Sequence, residues 1–203
     1  MTTERLYYTD SYLTSFTAAV VDQSDGGRRV YLDRTAFYPA SGGQPFDTGV
    51  LGGVRVVEVV DEEARIAHLL ESPLKAAGVE GVVDWNRRFD HMQQHTGQHL
   101  LSAVLEELFG YHTVSVHFGA DIATLDLDAA SLTPPEIRRS EKRANDIVFE
   151  NRPVTVAFED AGTTTGLRKK TERAGSIRIV TIANLDRSAC GGTHLRATGE
   201  VGP

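Results

Sequence analysis

Two pairs of metal-seeking side chains, far apart along the chain, constrain its folding more than any other feature. His95 and His99 stand four residues apart at the head of a leucine-rich run, and Cys190 and His194 stand four apart around two glycines. At helical spacing the two histidines lie one above the other. At about 100° per residue their face also carries His91, Ser102 and Glu106, while Leu100, Leu101, Val104, Leu105 and Leu108 form an apolar stripe roughly opposite. In Cys190-Gly191-Gly192-Thr193-His194 the glycines let the backbone curl and aim thiolate and imidazole at one point. A helix and a distant loop must therefore converge. The resulting nitrogen and sulfur set, His95, His99, Cys190 and His194, suits tetrahedral zinc. Four protein ligands make a closed, structural site, whereas a ligand outside the set would leave room for an activated water. Spacing leaves both open.

The rest of the chain supplies the frame. Thr14 to Val21, Val30 to Leu32, Val54 to Val60, Ile66 to Leu70 and Val79 to Trp85 read as short strands, with Asp25-Gly26-Gly27 and Asp61-Glu62-Glu63 as turns. They predict a small barrel or sandwich over residues 1–88. Asp90, with Gln93 three residues on, predicts a helix start, and Gly110 its stop. Thr133-Pro134-Pro135-Glu136 opens a second helix that ends near Asn151, before Pro153. Thr113 to His117, Val154 to Phe158 and Ile177 to Ala183 read as strands. The expected architecture is α+β: an N-terminal β-barrel, then a domain over 89–203 with helices packed on an antiparallel sheet.

Composition narrows the classes. The 203 residues are 40% hydrophobic and 24% charged, which is ordinary for a soluble globular protein. No run approaches a membrane span, and Met1 to Arg5 lacks a signal-peptide core. The single cysteine excludes an internal disulfide and fits a reducing, cytoplasmic setting. Net charge is -7, yet residues 134–178 hold ten Lys or Arg against seven Asp or Glu, a local +3 that leaves -10 elsewhere. Such a region is either a phosphate-docking surface or a solvated helix face. No phosphate-cradling glycine loop for ATP is present, and nothing specifies an oligomeric state.

The segments His95-Thr-Gly-Gln-His99-Leu-Leu and Cys190-Gly-Gly-Thr-His194, followed by Thr198-Gly199-Glu200-Val201-Gly202, resemble the AlaX-type proteins and the editing domain of alanyl-tRNA synthetase. Phe37-Tyr38-Pro39-Ala40-Ser41-Gly42-Gly43-Gln44-Pro45, with Asp47-Thr48-Gly49 after it, resembles the glycine-rich motif of the same family and favours it over the threonyl branch. The three motifs occur in order over nearly the whole chain. Family members usually continue with further strands past the Thr198 to Gly202 motif, so the resemblance implies either a polypeptide cut or disordered beyond Pro203 or a shorter sheet.

The resemblance implies a free-standing aminoacyl-tRNA hydrolase that removes serine, and also glycine, from tRNA for alanine. It assigns His95, His99, Cys190 and His194 to zinc, with His95, His99 and Cys190 at the catalytic centre. Size alone cannot reject alanine while accepting a larger and a smaller residue, so a hydrogen bond to the serine hydroxyl must contribute. Ser115 and Thr113, on the strand near the histidine helix, are candidates, as are Gln98 and Gln44; each also reads as an ordinary polar residue. Asp186 reads either as an acceptor for a ligating imidazole or as a loop aspartate. Arg168, Lys169, Lys170 and Arg173 are expected to hold tRNA phosphates. Two rivals share the zinc: an RNA-binding module without turnover, and a hydrolase for another small ester.

Overall fold

Hydrogen bonds carry six strands of the first half around a ring that closes on itself. In order, the chain forms β1 (Glu4–Arg5), β2 (Ser15–Ser24), β3 (Arg29–Leu32), β4 (Arg34–Thr35), β5 (Gly49–Leu51), β6 (Val54–Glu62), β7 (Arg65–Leu70) and β8 (Gly78–Val83). It continues through α1 (Trp85–Phe109), β9 (Thr113–His117), β10 (Thr124–Leu127), α2 (Pro134–Glu150), β11 (Val154–Asp160), β12 (Ser176–Ile182) and β13 (Asp186–Ala189). This computed structural model describes residues 2–119 and 122–202. It divides into two compact units, residues 1–91 and 92–203, with the division inside α1. Among the described residues no helix is long and apolar enough to cross a membrane.

In the first unit the strand order is β2-β3-β7-β6-β5-β8, and β8 pairs back to β2. Alternation explains the closure: Val79 and Val83 of β8 and Phe16 and Ala18 of β2 turn inward with Val30, Leu32, Leu51, Val56 and Ile66. Register shifts between Val20 and Asp22 and between Val56 and Glu58 add the curvature a ring requires. His68 is buried among these apolar side chains, with Nε2 2.8 Å from Thr35 Oγ1 and Nδ1 3.2 Å from the Val30 carbonyl.

The glycine-rich segment before β5 makes a tight turn at Ser41–Gln44, where Gly42 and Gly43 take φ of 58° and 84°. Gln44 is buried in it. Asp47, also buried, accepts from the Tyr38 backbone N–H at 2.6 Å and from Arg88 Nε at 3.1 Å. Arg88 is buried as well, its Nη1 donating to the Ser11 carbonyl at 2.8 Å and its Nη2 to that of Ala36 at 2.5 Å. This ion pair has no side-chain exposure and ties the loop to the first turn of α1.

That tie corrects one expectation. The helix starts at Trp85, not at Asp90, and Asp84 caps it: its Oδ1 lies 3.5 Å from the Arg87 N–H and its carbonyl accepts from Arg88. Trp85, read as the end of a strand, is the first helical residue. The other helix ends follow their local chemistry. Gly110 closes α1 with φ of 71°, and the Thr133–Glu136 box opens α2, which Asn151 stops in the left-handed region.

The second unit is α+β. The sheet β11-β12-β13 is antiparallel, in register through Val154↔Ile182 and Ile179↔Ala189. Leu100 and Val104 of α1 and Ile147 of α2 pack with Val154, Val180 and Ile182 of the sheet, and Leu108, Leu185 and Cys190 border them. A hairpin of β9 and β10 completes the unit. Neither β10 nor β13 is foreseen from sequence, because each is only four residues long, and Asp186-Arg187-Ser188-Ala189 has no large apolar side chain.

Candidate metal centre

The helix and loop meet. One unbroken turn of α1 stacks His95 and His99, with ring centroids 5.3 Å apart, and β13 leads directly into Cys190. Arg178, buried on β12, holds the loop by donating from Nη1 to the carbonyls of Cys190 at 2.7 Å and Gly192 at 2.9 Å. Gly192 lies so close to His95 that a Cβ there would meet the ring at 2.0 Å. Only a residue without a side chain lets this loop close on this helix.

The donor atoms fit one ion. Cys190 Sγ is 3.4 Å from His95 Nε2 and 3.3 Å from His194 Nε2, and one ligand atom from each of His95, His99, Cys190 and His194 lies within 4.8 Å of all the others. Usual zinc–nitrogen and zinc–sulfur bonds in a tetrahedron place donors about 3.3 Å apart for N···N and about 3.6 Å for N···S. The two sulfur edges, at 3.4 and 3.3 Å, come within about 0.3 Å of the N···S value. The three imidazoles are 3 to 5% exposed. Four N and S donors, three of them on buried imidazoles and none a carboxylate, could hold a soft or borderline metal ion such as zinc.

The outer nitrogens are held too. His99 Nδ1 is 2.7 Å from Asp186 Oδ2, and His194 Nδ1 is 3.2 Å from Thr96 Oγ1, which also accepts the Leu195 N–H at 3.1 Å. Each partner fixes a ring's orientation and directs its Nε2 inward. Burial pushes the Cys190 thiol up, but the neighbouring His95 and His194 outweigh it and hold the group well below its ordinary value, which favours the thiolate. Burial, with His95 beside it, lowers His194 to about 3, keeping that imidazole neutral with a lone pair to give. Burial also opposes charge on His99, yet Asp186 and Cys190 raise it to about 9. A metal entering this set displaces that proton.

The remaining candidates divide. Gln98 Nε2 donates to Ser102 Oγ at 2.8 Å, and Thr113 Oγ1 donates to the same oxygen at 2.7 Å, so the buried Ser102 joins the two. Ser115 instead bonds Asp126 across the β9–β10 hairpin. Gln44 sits in the first unit, in the turn described above. Lys169, Lys170 and Arg173 are exposed. Arg168, expected beside them at a phosphate, turns inward instead: its Nε lies 2.6 Å from Asp186 Oδ1. Thr96, Arg178 and Ser188 escape sequence reasoning. For Arg178 a signal existed, since a lone arginine within Ile177-Arg178-Ile179-Val180 has an apolar strand on both sides.

Comparison with known proteins gives a consistent set. The family described as the threonyl and alanyl tRNA synthetase second additional domain matches residues 177–203. The chain is 36% identical over 221 residues to the alanyl-tRNA editing protein AlaX-M of Methanosarcina acetivorans, covering 98% of this chain and 90% of that protein. It is 37% identical over 213 residues to AlaX-L of Pyrococcus horikoshii, covering 98% of this chain and 52% of the relative. It is also 37% identical over 207 residues to the alanyl-tRNA editing protein Aarsd1 of Mus musculus, covering 92% and 50%. The chain thus spans about half the length of the latter two relatives.

Proposed function

This chain belongs to the family of alanyl-tRNA editing proteins, and we propose that it is a hydrolase acting in trans on tRNA for alanine that carries the wrong amino acid. The substrate is chiefly the serine ester, with the glycine ester second, and the setting is the cytoplasm. One observation carries the reading: four N and S donors within 4.8 Å of one another, on the two motifs that resemble those of the family.

His95, His99, Cys190 and His194 would hold zinc. A zinc ion there supplies a fixed positive charge that attracts the electronegative atoms of the aminoacyl end. The chain's own residues do the rest. Arg178 and Gly192 keep the loop closed on the helix, while Asp186 and Thr96 hold the outer nitrogens of two ligands. Hydrolysis adds a water oxygen to the ester carbonyl carbon, and the bond from that carbon to the ribose oxygen breaks as the ribose oxygen gains a proton. An aminoacyl ester is already activated, so orientation and exclusion of competing conformers carry much of the work.

Ser102 accepts from both Gln98 and Thr113, which leaves the Gln98 carbonyl and the Thr113 oxygen able to accept a further proton. A serine hydroxyl would satisfy one of them, and alanine would leave it unpaired at about 1–3 kcal/mol. Gln44 and Ser115 remain secondary candidates. The exposed Lys169, Lys170 and Arg173 would contact phosphates.

The test is release of serine and of alanine from separately charged tRNA for alanine, with zinc-loaded and metal-stripped protein. Faster, metal-dependent release of serine is expected; equal release of both, or none, would sink the editing reading. A zinc-stabilised tRNA-binding module is the alternative, because four protein ligands are the composition of a closed site. It predicts bound tRNA without turnover.

A further inference from the structure

Arg168 is the one basic side chain of the Arg168-Lys169-Lys170 run that leaves the surface, and its destination is the metal centre. Asp186 has no side-chain exposure and two oxygens to place. Oδ2 faces His99 Nδ1 at 2.7 Å and Oδ1 receives Arg168 Nε at 2.6 Å, while Ser188 Oγ lies 2.9 Å from Oδ1 and 3.1 Å from Oδ2. Arg168 is itself fixed, by its backbone N–H on the Arg187 carbonyl at 2.8 Å and by Glu106 of α1, 4.0 Å from Nη1. A carboxylate facing only an imidazole can rotate about its last bond and exchange oxygens. With Oδ1 engaged by a guanidinium, that rotation breaks a charge-assisted hydrogen bond, so Oδ2 stays on His99.

Resting on the zinc reading above, we propose that Arg168 is a positioning residue for the metal centre: it locks Asp186, and Asp186 aims His99. The side chain acts in the absence of RNA, whereas its neighbours Lys169 and Lys170 act on RNA alone. Lysine is not an equivalent replacement, because a single ammonium lacks the rigid fork that spans Asp186 and the Ser188 hydroxyl, 3.4 Å from Arg168 Nη2.

The experiment is zinc affinity by competition with a chromophoric chelator, without tRNA, together with the visible spectrum of the cobalt form. Arg168→Ala should weaken zinc by about tenfold to a hundredfold and alter the cobalt bands. Lys169→Ala with Lys170→Ala should leave both unchanged. On an Asp186→Asn background, Arg168→Ala should cost less than about threefold more, because the two act in series. If Arg168→Ala does not fold, Arg168→Lys and Arg168→Gln carry the test, with smaller losses of the same kind. Wild-type affinity in a folded Arg168 variant, or losses that multiply fully on Asp186→Asn, would overturn the proposal. Failure of the unaltered protein to take zinc would instead overturn the reading on which it rests.

Discussion

Replacing Gly192 with alanine tests the metal centre at its tightest point. The added Cβ would sit 2.0 Å from His95 Cε1 and 2.3 Å from Nδ1, both atoms of a ring that carries one of the four donors. Ordinary contact needs about 3.5–4.0 Å, so ring and loop must separate by about 1.5 Å. Metal–ligand distances tolerate about 0.2 Å, so that movement removes a ligand. Structural zinc bound through four ligands is worth about 10–16 kcal/mol, or roughly 3 kcal/mol for each.

Gly192→Ala should therefore weaken zinc by about a hundredfold or more, at about 1.4 kcal/mol per decade. The loss is selective, because a metal-free His95 ring can swing aside. Chelator competition reads the affinity, and thermal unfolding of the metal-free protein reads the cost to the fold, expected to be much smaller. Gly78→Ala, where an added Cβ meets nothing within 4 Å, is the control. Zinc affinity within about threefold of the unaltered protein would refute the packing argument, since the ring could not then be where 2.0 Å places it.

Three further outcomes are expected. His68 is lowered to about 4, because burial disfavours its charged form more than the Val30 carbonyl favours it. The unfolded chain therefore binds more protons than the folded one between about 6.5 and about 4; stability is full above that window, falls through it and is lost below, by about 3 kcal/mol. Urea unfolding at several pH values should give His68→Gln a flatter profile than the unaltered protein; parallel profiles would exclude His68 as the cause. Arg88→Met strands Asp47 in the interior and should cost about 3–5 kcal/mol by urea unfolding; a loss under about 1 kcal/mol would mean water reaches the pair. Lys169→Ala with Lys170→Ala should weaken tRNA binding and flatten its salt dependence, by about one unit of log–log slope per lysine. An unchanged slope removes these two from the docking surface.

The donor cluster was legible and most of its supports were not, for a physical reason. Helical spacing places His95 and His99 on one face, and paired glycines bring Cys190 and His194 together, so four donors declare themselves through local rules. Caps declare themselves too, as Thr133 with Glu136 does for α2. What spacing cannot express is a long-range partner. Trp85 reads as the end of a strand and Asn86 to Arg88 as part of the boundary after it, whereas the helix starts at Trp85 and Asp47 takes Arg88 of its first turn inside. Asp186, divided between two readings in sequence, becomes a buried acceptor because β13 sets it opposite His99.

The same blindness to partners distorts any reading of charge. The surplus of basic residues over 134–178 treats every guanidinium as available to a phosphate. Arg178 is spent on two carbonyls of the metal loop and Arg168 on Asp186, while Arg152 bonds Glu150 and the Ala183 and Asn184 carbonyls. Lys142 faces Asp146, and Arg143 lies within reach of Glu107 and Glu150. Arg138, Lys169, Lys170 and Arg173 are different: they are exposed, and among the described residues none of them lies within ion-pair distance of a carboxylate, while Arg139, also exposed, lies over the Phe109 ring. A docking surface of Lys169, Lys170 and Arg173 contributes a slope of at most about -3 in log affinity against log salt. Affinity steeper than that would require further cations, the exposed Arg138 and Arg139 first among them, so the salt slope measures how much of the apparent basic region the fold has consumed.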